Sequence, residues 1–223
     1  MPKYRDVDES DVFILSGAED LVSVLQADGT RFEDTTTAPG YKIHRYRPRI
    51  EGLFARIERW TDQATGEIHW RSISRDNITT LYGKTEESRI ANPGDHDPKR
   101  VFTWLICESY DDKGNAIVYE YAAENDENVD RAQANERHRV RTANRYLKRI
   151  RYGNRTPNRD ANWKPTDPAQ LPDEDWMFEV IFDYEEGHYE ELIPLGASAF
   201  TIPTGPEHPV PFRPFFFLVG LRA

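Results

Sequence analysis

At 223 residues the chain is long enough to form one large β domain or two small ones around a core of its own. A charged fraction of 30% and a mean hydropathy of -0.78 describe a solvated surface, but 11 Phe, 5 Trp and 11 Tyr are too many for a disordered chain. The net charge of -10 and a pI near 5.1 argue against nucleic acid or an anionic membrane as the main partner, and no run of 18 apolar residues is present to form a membrane-spanning helix.

The first ten residues, MPKYRDVDES, lack the apolar stretch of a classical signal peptide. Two short apolar runs follow, residues 12–15 and 21–25, each closed by turn residues, and predict two strands meeting at a turn. Residues 26–40 have no periodicity, end in Pro39-Gly40 and are expected to form an exposed loop. In residues 46–60 a helical spacing of Ile50, Leu53, Phe54 and Ile57 competes with strand alternation from Phe54 to Trp60. The strand is preferred because a polar turn over 62–67 and an aromatic strand over 68–74 come next, completing a hairpin. Residues 78–82 are a further strand, ended by Gly83, and residues 92–100 form a loop with two prolines.

The strongest pattern is VFTWLICESYDDKGNAIVYEY at 101–121. Its first arm sets Phe102, Trp104, Ile106 and Tyr110 against Val101, Thr103, Leu105, Cys107 and Ser109. Its second sets Ile117, Tyr119 and Tyr121 against Ala116, Val118 and Glu120. The five polar residues between the arms include Gly114, so the stretch reads as an antiparallel hairpin. Neither arm is polar enough on its second face to lie against water, which makes the hairpin one rung of a larger sheet.

Apolar content collapses over 124–139, a solvated excursion with partial helix expected. Residues 131–155 carry nine Lys or Arg against one acid, Glu136. With only Tyr146 and Tyr152 as aromatic neighbours and no nucleic-acid motif, these cations are expected to pair with acids or to face solvent. Residues 146–152 alternate as a strand, 154–175 hold four prolines and form a long loop, and 176–184 return to strand. From 194 onward six prolines precede the apolar run 215–219, which has no evident partner in the sequence.

Catalytic and metal signatures are not found. The six histidines fall at 44, 69, 96, 138, 188 and 208 without ligand spacing, and the sequence holds neither a nucleophile elbow nor a glycine-rich phosphate loop. Asp111, Asp112 and Asn115 could suggest a calcium loop, but the downstream Glu is missing and the turn reading is preferred. His69 reads as a satisfied strand histidine and Cys107 as a small buried hydrophobe, since a single cysteine forms no internal disulfide. No catalytic residue, cofactor or metal site is therefore assigned.

Longer stretches carry more specific information: LSGAEDLV at 15–22, YRPRIEGLFARIERW at 46–60, HWRSISRDNITTLYG at 69–83, the hairpin from Trp104 to Tyr121, ANRYLKRIRYGN at 143–154 and WMFEVIFDYEEGH at 176–188. In order and content they resemble the N-terminal region of SpvB-type virulence proteins and the B component (TcaC/TcdB type) of insecticidal toxin complexes. The resemblance implies an all-β fold of antiparallel hairpins, part of an RHS-like rolled sheet, with long loops and at most short helices. It implies a secreted toxin part that is also cytoplasmic before release, contributes sheet to a shell around a toxic payload, and has the A and C components as partners. In that family the transferase domain of SpvB lies C-terminal, and its paired S-T-S and E-x-E arrangement is missing here, so the chain is expected not to be an enzyme. Residues 1–190 are expected to be an incomplete β-rich region, and 191–223 a divergent Pro-rich tail, truncated or out of frame. A sugar- or receptor-binding β domain using exposed aromatics such as Trp163 is the alternative.

Overall fold

The computed structural model describes residues 12–16, 20–52, 54–95, 97, 100–125, 129–182 and 184, and the backbone of 217–221. Fourteen strands and no α-helix occur among the described residues: β1 (Phe13–Ile14), β2 (Asp20–Ser23), β3 (Glu33–Asp34), β4 (Tyr41–Pro48), β5 (Arg56–Asp62), β6 (Ile68–Ile73), β7 (Thr79–Tyr82), β8 (Arg89–Ala91), β9 (Val101–Trp104), β10 (Ile106–Tyr110), β11 (Ala116–Ala123), β12 (Arg145–Asn154), β13 (Trp176–Phe182) and β14 (Phe217–Leu221). Twelve of them make one sheet, ordered β1-β2-β4-β5-β6-β7-β10-β11-β12-β13-β14 with β3 added to β4, while β8 and β9 form a separate ribbon. Every pairing is antiparallel, as expected.

Turn chemistry explains the hairpins. Between β5 and β6 the Asp62 carboxylate accepts the backbone N–H groups of Ala64 (2.8 Å) and Thr65 (3.0 Å). Between β10 and β11 one Asp111 oxygen accepts from the N–H groups of Lys113 and Asn115, both at 2.9 Å, and the other accepts from Asn115 Nδ2 at 2.7 Å. Both Asp111 oxygens thus serve their own turn, as the turn reading requires. The register of the predicted hairpin runs from Tyr110 opposite Ala116 to Glu108 opposite Val118.

The first arm of that hairpin is not one strand. At Leu105 the chain changes partner, from β8 in the ribbon to β7 in the main sheet. Gly83 N donates to Leu105 O at 2.8 Å and Leu105 N donates to Ser88 O at 2.8 Å. The buried Arg89 locks the corner by donating Nε to Gly83 O at 2.6 Å and Nη2 to Lys84 O at 3.2 Å. Just beyond, a bulge moves the register from Ile106 opposite Tyr82 to Glu108 opposite Leu81, so Cys107 and Glu108 are both buried.

Other differences from the sequence reading are local. Within the expected loop 26–40, β3 pairs with β4. β4 itself begins five residues before the block in which a strand was sought, and the excursion over 124–139 holds turns but no helix among its described residues. The proposed boundary at residue 190 lies outside the described residues. The apolar run near the end does find a partner: the backbone of Phe217–Leu221 pairs with Phe178–Phe182.

Two apolar clusters sit on opposite faces of the sheet, as alternation along the strands dictates. On one face Leu21, Tyr46, Ile57 and Trp70 are buried, with Phe13 and Trp104 packed against them; the Phe13 and Trp70 rings meet edge to face at 4.8 Å. On the other, Ala116, Val118 and Trp176 are buried against Tyr110 and Leu171, the latter from the proline-rich loop.

Candidate functional site

Strand pairing lines up two rows of side chains that run across the sheet on opposite faces. One row is Tyr46, Ile57, Ser72, Thr80, Ser109, Ile117, Tyr152 and Phe178. Its neighbours Tyr119, Ile150 and Val180 extend it over β11, β12 and β13. From Ile117 to Phe178 these side chains are only half-buried, and Tyr152 stacks on Phe178 at 5.2 Å. The result is a broad aromatic and aliphatic face.

The opposite row is Arg45, Glu58, Arg71, Leu81, Glu108, Val118, Arg151 and Glu179. Its acids are paired, and Glu58 and Glu108 are buried, where a charge must be paired. Glu58, 1% exposed, accepts from Arg56 Nε at 2.5 Å and from Trp60 Nε1 at 3.0 Å, with Arg45 Nε at 3.6 Å. Glu108 accepts from Lys84 Nζ at 2.6 Å, and the same ammonium reaches Asp167 at 3.3 Å. Asp167 caps the turn at 168–170 through Ala169 N, which ties the proline-rich loop to this face. Burial pushes the Glu108 carboxyl above its ordinary value.

The basic segment is absorbed by the same device. Arg149 pairs with Glu179 at 2.6 Å, and Arg151 with Glu120 at 2.6 Å and Asp173 at 3.0 Å. Arg139 meets the buried Glu124 at 2.7 Å, which also accepts from Tyr146 Oη at 3.0 Å, and Arg141 meets Glu136 at 2.5 Å. Arg139, Arg141, Arg149 and Arg151 thus pair with acids, one of the two outcomes expected for this segment, and Arg145 donates to the Thr142 carbonyl; that Arg141 and Arg151 are also buried is what their spacing did not show.

The residues singled out in the sequence do not converge. His69 lies against Tyr41 (5.7 Å) and Trp60 (5.7 Å), where burial and then the nearby Arg89, Lys84 and Arg71 push its imidazole down to about 4. Cys107 is buried, its thiol donates to Leu81 O at 3.4 Å, and burial pushes it up. Trp163 is 60% exposed at the tip of a loop, with φ +63. Among the described residues no group of three His, Cys, Asp or Glu could hold a metal. The buried acids Glu58, Glu108 and Glu124 were missed by sequence reasoning. For Glu58 the signal is opposite charge at paired positions, Arg45 and Arg71, visible once the register is known; the cations of Glu108 and Glu124, Lys84 and Arg139, come from outside the strands and leave no such signal.

Comparisons with known proteins agree with this architecture. The chain is 34% identical over 207 residues to the mono(ADP-ribosyl)transferase SpvB of Salmonella typhimurium (strain 14028s / SGSC 2262) and, to the same extent, to that of Salmonella dublin. The match covers 89% of this chain and 33% of each relative, so the chain spans about a third of their length. The solved N-terminal domain of effector protein SpvB from Salmonella typhimurium strain LT2 superimposes with a TM-score of 0.68 at 34% identity, over 87% of this chain and 60% of that one. The TcdB2-TccC3-Cdc42 crystal structure gives 0.63 at 33%, over 79% of this chain and 8% of that one. The Photorhabdus luminescens Tc holotoxin pore gives 0.63 at 32% over the same shares. The expectation that the chain is not an enzyme is corrected here, because the curated relatives carry a transferase name. A search for catalytic residues in a stretch covering a third of such proteins had no bearing on what the whole does. The family model for the Salmonella virulence plasmid 65kDa B protein matches residues 1–199, and the chain therefore belongs to the SpvB family of virulence-associated toxin proteins.

Proposed function

We propose that this chain is wall material of a secreted toxin, contributing antiparallel sheet to a shell that encloses a toxic payload and joining the A and C components of a toxin complex. The observation that carries the reading is the half-buried aromatic and aliphatic face over β11, β12 and β13. A contiguous apolar face of this kind marks a contact surface. Around β10 and β11 the opposite face is covered by the proline-rich loop, which leaves the aromatic one there as the side on which further sheet can pack. Likeness to the TcdB2-TccC3 assemblies supports the same partners.

The test is co-purification of the chain with the A and C components of its toxin complex, with and without Tyr119→Arg. Tyr119 is half-buried at the centre of that face. The substitution is expected to leave the isolated chain folded and to abolish assembly; unchanged assembly refutes the reading. The exposure and left-handed backbone of Trp163 favour a second reading, a sugar- or receptor-binding domain. Glycan binding by the chain that is lost in Trp163→Ala would select it.

A further inference from the structure

Three arginines on neighbouring strands surround one carboxylate on the charged face. Arg45 of β4 and Arg71 of β6 lie directly across from Glu58 of β5, and Arg56 stands two residues along the same strand. Strand spacing of about 4.8 Å and a two-residue step of about 6.8 Å bring the three stems within roughly 10 Å of one another. Both Glu58 oxygens are already engaged, one facing Arg56 and Arg45 and the other accepting from Trp60 Nε1. Three cations against one carboxylate leave two positive charges.

Those charges are held in place without being used up. The Arg71 guanidinium lies over the Trp60 ring at 5.5 Å and makes no hydrogen bond or ion pair with any described residue; its Nε is buried without an acceptor. The Arg45 guanidinium lies over the Phe32 ring at 4.3 Å. Stacking on a ring fixes the plane of a guanidinium and leaves its N–H edges for a ligand. The Arg45 and Arg56 side chains are 35% and 47% exposed, so the cluster opens to solvent. Asp34, which faces Ile43 across the β3–β4 pair, does not compete, because its oxygens accept from Thr36 and Thr37.

We propose that Arg45, Arg56 and Arg71, braced by Glu58, bind a terminal phosphate. A phosphate monoester carries about -1.5 to -2 charge near neutral pH, which matches the two surplus cations, and it offers three acceptor oxygens to their N–H edges. A sulfate ester, with one charge, satisfies only half of the surplus.

The test is calorimetric titration of the full chain with inorganic phosphate and with O-phosphoserine at constant ionic strength, with methyl sulfate as control. One saturable site is expected for at least one phosphate ligand, weakened about tenfold or more in Arg71→Gln, with circular dichroism unchanged. Binding of both ligands assigns the site to the phosphate group itself, and binding of phosphoserine alone assigns it to a phosphorylated side chain. Absence of a saturable site for either, equal affinity in Arg71→Gln, or equal affinity for methyl sulfate overturns the proposal. Should Arg71→Gln fail to fold, Arg45→Gln carries the same expectation.

Discussion

Gly83→Ala tests the corner at which the chain leaves the ribbon for the main sheet. Gly83 has φ +64, and a Cβ added there would overlap Trp104 Cδ1 and lie 2.9 Å from Trp104 Cβ and Cγ. The left-handed backbone alone costs an alanine about 1 kcal/mol. The collision matters more, because Trp104 is seated from three sides: its Nε1 donates to Ile68 O at 2.9 Å, and its ring meets Trp70 and Phe13, each at 6.0 Å. Losing that hydrogen bond costs about 1 kcal/mol and losing the two ring contacts about 1–2 kcal/mol. The total expected is about 3–4 kcal/mol. Urea unfolding followed by tryptophan fluorescence measures it, and near-ultraviolet circular dichroism reports whether Trp104 has left its seat. Gly52→Ala, which meets nothing within 4 Å, is the control and is expected to stay within about 0.5 kcal/mol of the parent. If Gly83→Ala behaves like Gly52→Ala, the corner does not hold Trp104 and the packing described around it is wrong.

Further expectations concern the buried ionisable groups. Burial raises the Glu108 carboxyl, so the folded chain holds that proton more tightly than the unfolded one. Its contribution to stability is present below the unfolded value and is lost as pH rises through the folded one. Glu108→Gln removes this slope, so urea melts near pH 4 and near pH 7 should show the parent gaining on the variant toward acid; the opposite trend defeats the assignment. His69 is expected to titrate by NMR with a midpoint at about 4. Being depressed, it costs stability as pH falls below its unfolded value, and a midpoint near the free-histidine range would mean that the Tyr41–Trp60 contact is not formed. Cys107, buried with its thiol pushed up, should resist a thiol reagent in the native chain and react on unfolding, and rapid native labelling would place it elsewhere.

The strands legible in the sequence are those bounded by turn chemistry. β5, β6 and β7 are separated by Asp62–Glu67 and by the residues before Ile78, and β10 and β11 by Asp111–Asn115, so alternation could be counted from a known start. β4 was not, because Tyr41–Pro48 reads YKIHRYRP and its polar positions resemble solvent positions. In the sheet, His44 is buried and Arg45 lies over Phe32. β3 and β8 are two and three residues long and exist only through their partners, which no local pattern reveals. The single arm expected over 101–110 failed for a related reason. A side-chain pattern with a period of two cannot register a bulge at Cys107 or a change of partner at Leu105.

Charge was the least legible property, and the cause is physical. Counting charges along the chain gives -10 overall and a basic stretch over 131–155, whose cations can be expected to pair with acids or face solvent but whose partners cannot be named. Counting them across the sheet gives a different molecule, in which Arg151 lies opposite Glu179, Arg149 opposite Glu120, and Arg45 opposite Glu58. Of these acids Glu58 is buried and would be costly to bury alone, and each of the three has a cation on a strand adjacent in space. Glu120 and Glu179 therefore meet their cations only when the strands are in register, and a slip of one residue would send all three acids to the aromatic face. The charged rows thus specify pairing as strongly as the apolar ones. That argument also isolates the exception: Arg45 and Arg71 both lie across from Glu58, and Arg45 reaches its carboxylate at 3.6 Å, whereas Arg71 makes no ion pair with any described residue.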